Sequence, residues 1–140
     1  MMALSLVMMK LKESDILKNT QMVGDGMTEA DLKRSVEDFL TYAMNQGKLY
    51  FDRLNSGEVI VIAGKSRRRI KLCRKGTWDF FVLQDFRIIF LECKVRGRKL
   101  TEDQMKFGDL VRRQGAEGFI ISDTDYLMQL FPISTEGGKR

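Results

Sequence analysis

Two acidic side chains on neighbouring predicted strands are the residues of this sequence best placed for chemistry. Strand patterns cover residues 78–83 and 87–95, and a tight turn is predicted at Asp85 and Phe86. This register sets Asp79 directly opposite Glu92. Opposed like charges destabilise a sheet, and an unpaired buried carboxylate costs more still. We therefore expect a positive group between the two carboxylates.

Lys94, two residues after Glu92, is one candidate for that group, and a divalent cation is the other. Oxygen ligands with retained waters suit Mg²⁺ or Mn²⁺. A cation held by two carboxylates beside a lysine suits phosphodiester cleavage, because the cation activates water and the lysine offsets developing charge. The plainer interpretation is a structural salt bridge. The pattern acid-x-Lys is weak alone, and we interpret Asp31-Leu32-Lys33, on a predicted helix, as a decoy.

The composition narrows the possible mechanisms. A chain of 140 residues, 44% of them hydrophobic, predicts one domain with its own core. It contains no histidine, which excludes an imidazole base, nucleophile or metal ligand. Cys73 and Cys93 cannot complete a four-ligand zinc site without histidine. Two cysteines are also too few to indicate a disulfide framework, so a cytoplasmic protein is expected.

Positive charge is concentrated in the middle of the chain. Residues 51–100 contain 13 basic and 5 acidic residues, whereas the whole chain has a net charge of +5. A one-sided basic patch favours nucleic-acid binding over a merely solvated surface. The patch comprises Lys65, Arg67, Arg68, Arg69, Lys71, Arg74, Lys75, Lys94, Arg96, Arg98 and Lys99.

Helices and strands alternate in a pattern that predicts an α/β domain with a mixed central sheet flanked by helices. Thr28 caps a first helix, whose apolar stripe runs from Leu32 to Ala43 and which ends at Gly47. Strands follow at residues 49–53, 59–63 and 69–73. After the 78–95 hairpin come a helix capped by Thr101, a strand at 118–122 and a short helix to about residue 130.

Alternation assigns the side chains of the 78–95 hairpin to two faces. Trp78, Phe80 and Val82 share one face, and Phe81 and Leu83 share the other with the two acids. Because both faces are apolar, this hairpin is expected to be central and covered on both sides.

Two polar residues fall on otherwise apolar helical stripes. Glu29 is explained plainly as an acid favoured at a helix N-terminus, and Gln104 as a capping-box residue. Taken together, they are also placed to point polar groups from two helices toward Asp79 and Glu92.

The order of these motifs resembles the PD-(D/E)xK nuclease core, and in particular the virus-type replication-repair nuclease (VRR-NUC) family. The resemblance covers about residues 28–122. Its motifs are Gly76-Thr77-Trp78-Asp79, Glu92-Cys93-Lys94 and Leu100-Thr101-Glu102-Asp103-Gln104, with Glu29 and Arg53-Leu54-Asn55-Ser56-Gly57 upstream. Trp78 stands where the family often has proline, a departure that changes no ligand.

The resemblance implies a role for each matching residue. Asp79 and Glu92, with the Cys93 backbone carbonyl, would bind Mg²⁺ or Mn²⁺, and Lys94 would be the catalytic lysine. Gln104 and Glu29 would support the active site. Arg53 and Asn55 match the Arg-x-Asn stretch and join the predicted DNA-binding residues.

The expected protein has three parts: a methionine-rich N-terminal arm (1–27), a VRR-NUC-like nuclease domain (28–132) and a flexible tail (133–140). The arm packs either on its own domain or on a partner subunit. Its nine-residue apolar run is too short for a membrane helix, so no membrane partner is expected.

The resemblance implies a stand-alone, homodimeric endodeoxyribonuclease that cuts branched DNA such as Holliday junctions, in a bacterial cell or a phage-infected host. One alternative is a non-catalytic DNA-binding or scaffolding protein with the same fold. Another is a sequence-specific restriction-type endonuclease.

Overall fold

The first helix begins where the sequence predicts it. The computed structural model describes residues 26–133 and places helix α1 at Glu29–Asn45. The Thr28 side chain accepts a hydrogen bond from the Asp31 N–H, and the Asp31 side chain accepts one from the Thr28 N–H, as a capping box requires. All five residues of the apolar stripe are buried: Leu32, Val36, Phe39, Leu40 and Ala43.

Between α1 and residue 133, six strands and two further helices follow. They are β1 (Tyr50–Arg53), β2 (Glu58–Ala63), β3 (Ser66–Lys71), β4 (Phe80–Gln84), β5 (Arg87–Cys93), α2 (Glu102–Arg113), β6 (Glu117–Ile121) and α3 (Thr124–Leu130). Four strands form one sheet in the order β1-β4-β5-β6, in which only the β5–β6 pairing is parallel. The predicted α/β fold with a mixed sheet is confirmed, while β2 and β3 pair separately as a two-stranded sheet.

The central hairpin has the predicted register. Gln84 pairs with Arg87 across a turn in which Asp85 and Phe86 both have positive φ. Phe80 pairs with Leu91, so the same register continued by one residue brings Asp79 opposite Glu92.

Helices cover both faces of the sheet near the end that carries these acids. One face contributes Phe80, Val82 and Leu91 to a core formed with α1 and α3. On the other face, Phe107 of α2 stands edge-on against Phe90, with ring centroids 5.1 Å apart. Near the turn of the hairpin this second face is exposed to solvent at Leu83 and Ile88. The prediction that helices cover the hairpin on both sides is therefore confirmed only at the end that carries the two acids.

Trp78 was assigned to the wrong face by strand alternation. β4 begins at Phe80, and the chain bends at Asp79, so the alternation does not extend back to Trp78. The buried indole packs under α2 instead, 5.9 Å from the Phe107 ring, and its Nε1–H donates to the Gln104 carbonyl at 2.8 Å.

The third predicted strand was placed too late. It occupies Ser66–Lys71 and not residues 69–73, because Ala63 pairs with Ser66 across a two-residue turn that contains Gly64 in a left-handed conformation (φ +60°).

Both predicted terminal segments lie almost entirely outside the described residues, which include only 26 and 27 of the arm and 133 of the tail. Within residues 26–133, no helix combines the length and apolar content needed to cross a lipid bilayer.

Candidate active site

Two carboxylates are held against each other at one end of the central hairpin. Asp79 lies in the bend before β4, and Glu92 is the second-last residue of β5. The Asp79 N–H donates to Glu92 Oε2 at 3.2 Å, and the Cys93 N–H donates to Asp79 Oδ2 at 2.9 Å. These crossed bonds fix both side chains in a position where Glu92 is only 1% exposed.

Gln104 joins this pair from the first turn of α2. Its Nε2 donates to Glu92 Oε1 at 2.8 Å, while its Oε1 accepts the Thr101 N–H at 2.9 Å. The two interpretations of Gln104 are therefore compatible, since one amide serves both the capping box and the carboxylate. The Trp78 indole bond to the Gln104 carbonyl anchors the helix turn that carries this amide.

Lysines approach the pair from two sides. Lys94 Nζ lies 3.9 Å from Glu92 Oε1, with its side chain 12% exposed. Lys33 Nζ lies 3.1 Å from Asp79 Oδ1 and 3.5 Å from Glu29 Oε1. Lys94 and Glu92 thus meet as predicted, whereas Glu29 reaches the site only through Lys33.

Asp31 of the Asp31-Leu32-Lys33 tripeptide serves the capping box, but Lys33 itself is a residue of the site that the sequence analysis does not predict, and it makes the shortest ion pair there. The signal that was available is its spacing from Glu29: residues four apart on a helix lie on the same face. Once Glu29 is expected to face the carboxylates, Lys33 follows.

The electrostatics of the site favour an additional cation. Burial, reinforced by the negative charge of Asp79, raises the pKa of Glu92 to about 8, although Lys94 and Lys33 oppose the shift. Burial lowers the pKa of Lys33, but the carboxylates of Asp79, Glu29 and Glu92 outweigh it and raise that pKa overall. Even with Lys94 and Lys33 nearby, the buried Glu92 therefore favours its protonated form at neutral pH.

Cys93 contributes its backbone and not its thiol. The side chain is buried in the core on the opposite face of the sheet, and burial raises the pKa of the thiol, which removes it as a nucleophile. The metal-binding role of its carbonyl stays a prediction.

The donor set fits a hard divalent cation. Among residues 26–133, no group of three acidic or cysteine side chains is placed to hold a metal ion, so a cation at Asp79 and Glu92 would also need backbone or water ligands. Mg²⁺ is commonly held by one or two carboxylates with water completing its shell, and Asp79 and Glu92 would provide such a pair.

The predicted DNA-binding residues fall into three groups. Lys65, Arg67, Arg68, Arg69 and Lys71 are exposed on the β2–β3 hairpin. Arg74, Lys75, Arg96, Arg98 and Lys99 are exposed on the connections beside the carboxylates, with Lys75 Nζ 3.5 Å from Asp103 Oδ2. Arg53 pairs with Glu37 at 3.2 Å, and Asn55 lies at the root of the hairpin.

That root is connected directly to the carboxylate site. The Leu54 N–H donates to the Asp79 carbonyl at 2.7 Å, extending the β1–β4 pairing by one bond. The Cys73 N–H donates to the Asn55 carbonyl at 2.9 Å and closes the base of the hairpin. The exposed cations therefore begin next to the carboxylate pair.

No protein-family model matches this sequence, and no curated protein matches it significantly. The site itself is therefore what carries the functional assignment.

Proposed function

We propose that this protein is a Mg²⁺- or Mn²⁺-dependent endodeoxyribonuclease with a PD-(D/E)xK core of the VRR-NUC type, acting on branched DNA. The observation that carries the proposal is the crossed hydrogen-bonded contact between the half-buried Asp79 and the buried Glu92, whose pKa is raised to about 8 by burial and by the charge of Asp79. A neighbouring lysine and an exposed cationic surface provide the other groups that phosphodiester hydrolysis requires.

Asp79 and Glu92 would hold the metal, with the Cys93 carbonyl as a third ligand. When bound, the metal polarises the scissile phosphate and lowers the pKa of an attacking water. Lys94, beside Glu92, is placed to orient that water and to offset charge on the phosphoryl oxygens. Gln104 fixes the orientation of Glu92.

Lys33 and Glu29 have a supporting task in this proposal. Lys33 would balance the charge of Asp79 in the metal-free site, and Glu29, 3.5 Å from the Lys33 ammonium group, would keep that group nearby. With a cation held at Asp79, Lys33 would remain beside the site and be available to a DNA phosphate.

The exposed Lys and Arg residues suit phosphates more than bases, so DNA shape would determine specificity. A homodimer with two-fold symmetry would place two sites for paired cuts across a junction. Such a nuclease would act on DNA in the cytoplasm of a bacterial cell or a phage-infected host.

A non-catalytic DNA-binding scaffold is the second candidate, favoured by one observation. All four carboxylate oxygens already have a partner within the chain: the Lys33 ammonium, the Cys93 and Asp79 N–H groups, and the Gln104 amide. A cluster closed in this way is also able to serve a purely structural purpose.

Cleavage assays separate these candidates. We expect the protein to cut labelled four-way junctions or flaps with Mg²⁺ or Mn²⁺, and Asp79→Asn and Lys94→Ala to bind the same DNA without cutting it. Lys106→Ala, on the exposed side of α2, is the matched lysine control. Binding without cleavage by the wild type in either metal would establish the scaffold, and cuts at a fixed sequence in linear duplex would indicate a restriction-type enzyme.

The dimer has a separate test in sedimentation of the full chain against a chain that begins at Thr20. A full chain that sediments as a monomer would contradict both the dimer and its methionine-rich arm.

A further inference from the structure

The hairpin of residues 58–71, here called the basic hairpin, leaves both of its strands uncovered. β2 and β3 pair with each other and make no extensive contact with another helix or strand of the described chain. Every residue of both strands is exposed. An isolated two-stranded ribbon is at best marginally stable in water, and clustered exposed aliphatic side chains mark interaction sites. The basic hairpin thus has the properties of a binding surface.

Its two strands differ in chemistry. β2 reads EVIVIA and β3 reads SRRRIK, and the hairpin holds five basic residues and one acidic residue, a net charge of +4. The register pairs Ile60 with Arg69 and Ile62 with Arg67, so isoleucines and guanidinium groups share one face. Of the three arginines in the hairpin, only Arg69 has an acidic partner among the described residues, Glu58 at 3.5 Å.

The two faces of the ribbon are unequal. Ile60 and Ile62 are 56% and 66% exposed, whereas Val59 and Val61 on the opposite face are 41% and 43% exposed. The isoleucine face also carries Arg67 and Arg69, while the valine face carries Arg68. The isoleucine face is therefore the stronger candidate for contact with a partner that is apolar at its centre and anionic at its margins.

B-form DNA matches that description. Its major groove, about 12 Å wide, admits a two-stranded ribbon, offers thymine methyl groups on its floor and has phosphates along both rims. Strands of six residues extend about 20 Å at roughly 3.4 Å per residue, enough to cross the groove. The major groove of A-form RNA is too narrow for side chains to read. A second copy of the hairpin is disfavoured because two charges of +4 repel.

We propose that the basic hairpin lies in the major groove of duplex DNA next to the cleavage point, with Ile60 and Ile62 against base edges and Arg67 and Arg69 on phosphates. The inference rests on the proposed nuclease function for its substrate and goes beyond it by assigning the element that docks the DNA. Because Leu54, at the hairpin root, bonds to the backbone of Asp79, DNA held there lies beside the carboxylate pair.

The first arm of the test measures the charge contribution. Fluorescence anisotropy with a labelled DNA duplex, in EDTA so that nothing is cut, compares wild type with Arg67→Gln/Arg68→Gln/Arg69→Gln. The two phosphate contacts of Arg67 and Arg69 account for about 12-fold of the affinity that the wild type loses between 50 and 200 mM salt, so the variant should lose that much less over the same range. A charge-matched control, Lys48→Gln/Lys106→Gln/Arg113→Gln, keeps the wild-type salt dependence. A salt dependence unchanged in the hairpin variant, or equally reduced in both variants, would overturn the proposal.

The second arm tests the face and the groove. Ile60→Thr/Ile62→Thr should weaken duplex binding roughly tenfold through lost apolar burial, whereas Val59→Thr/Val61→Thr should leave it unchanged. Threonine keeps the strand propensity in both variants. Equal losses from the two faces, or equal wild-type affinity for an RNA duplex of the same sequence, would refute insertion into the major groove. A change in sedimentation without a change in DNA affinity would instead assign the hairpin to a second copy.

These outcomes are independent of catalysis. Hairpin-dependent DNA binding without cleavage in any metal would leave the inference intact and remove the nuclease. If the hairpin variants bind DNA as tightly as the wild type and still cut it, the nuclease proposal stands and the hairpin inference is refuted.

Discussion

The carboxylate pair and the basic hairpin handle charge in opposite ways. Asp79 and Glu92 are enclosed between α1 and α2, and each oxygen is matched by a donor from the chain. The hairpin is exposed along its whole length, and its aliphatic and cationic side chains find few partners in the described chain. Enclosure allows a site to control protonation and metal binding, whereas exposure leaves a surface whose interactions must come from another molecule. In the proposed nuclease, the enclosed carboxylate pair would cut the DNA and the exposed hairpin would bind it.

The largest expected effect separates cutting from holding. At saturating junction DNA with Mn²⁺, Asp79→Asn and Lys94→Ala should each lower the single-turnover rate at least about 10³-fold, because Asp79 is the proposed metal ligand and Lys94 the proposed charge-stabilising group. The Arg67→Gln/Arg68→Gln/Arg69→Gln variant should cut at nearly the wild-type rate once saturated. A saturated rate that falls equally in both kinds of variant would abolish the distinction.

Substitutions in the core beside the carboxylate pair and in the basic hairpin should also differ strongly in their effect on the free energy of unfolding. Trp78 is fully buried beneath α2, with Gly108 closely packed on its ring, so Trp78→Ala should lower the free energy of unfolding by about 3–5 kcal/mol. Val61→Thr on the hairpin should change it by less than about 0.5 kcal/mol, because this side chain is exposed and outside the core. Urea denaturation measures both values. A hairpin substitution as costly as the tryptophan one would show that the hairpin belongs to the folding core.

Stability of the metal-free protein should fall as pH rises from about 5 to about 8. Folding raises the pKa of Glu92 from 4.5 to about 8, so in this window the folded state holds a proton that the unfolded state has lost. The slope is at most about 1.4 kcal/mol per pH unit. Glu92→Gln, which cannot ionise, should lack this slope in thermal melts with EDTA, while a slope equal to that of the wild type would place the titration elsewhere.

Substitution of Lys33 should give the smallest effect, and it should strengthen a function, Mn²⁺ binding, whereas substitution of Lys94 should abolish one, DNA cleavage. Lys33→Met removes the ammonium that competes with a metal for Asp79, so Mn²⁺ affinity should rise by roughly three- to tenfold. Lys94→Met should leave cleavage abolished whatever the metal affinity. Weaker Mn²⁺ binding in Lys33→Met would show that Lys33 organises the site and does not occupy it in place of the metal.

Local sequence rules predicted most of the elements that hold this site. Capping residues located α1 and α2, and the turn at Asp85 and Phe86 set the register that brings Asp79 opposite Glu92. These features depend on residues close together in the chain, and so propensity and periodicity are sufficient to locate them.

The features that the sequence does not predict depend on packing between elements that are distant along the chain. Strand alternation predicts the wrong face for Trp78 because it says nothing about the bend at Asp79. Local patterns do not reveal the contact of Lys33 with the site, because its partner Asp79 lies 46 residues away along the chain. The separation of β2 and β3 from the main sheet likewise depends on which strands find partners, which their shared strand-like composition does not reveal.

Manganese binding tests the central claim most directly, since it needs no assumption about the DNA substrate. In a titration followed by electron paramagnetic resonance at pH 8, we expect one Mn²⁺ per chain bound to the wild type, with that site lost in Asp79→Asn and Glu92→Gln and retained in Lys106→Ala. Absence of Mn²⁺ binding by the wild type, or binding unaffected by either carboxylate substitution, would contradict the account.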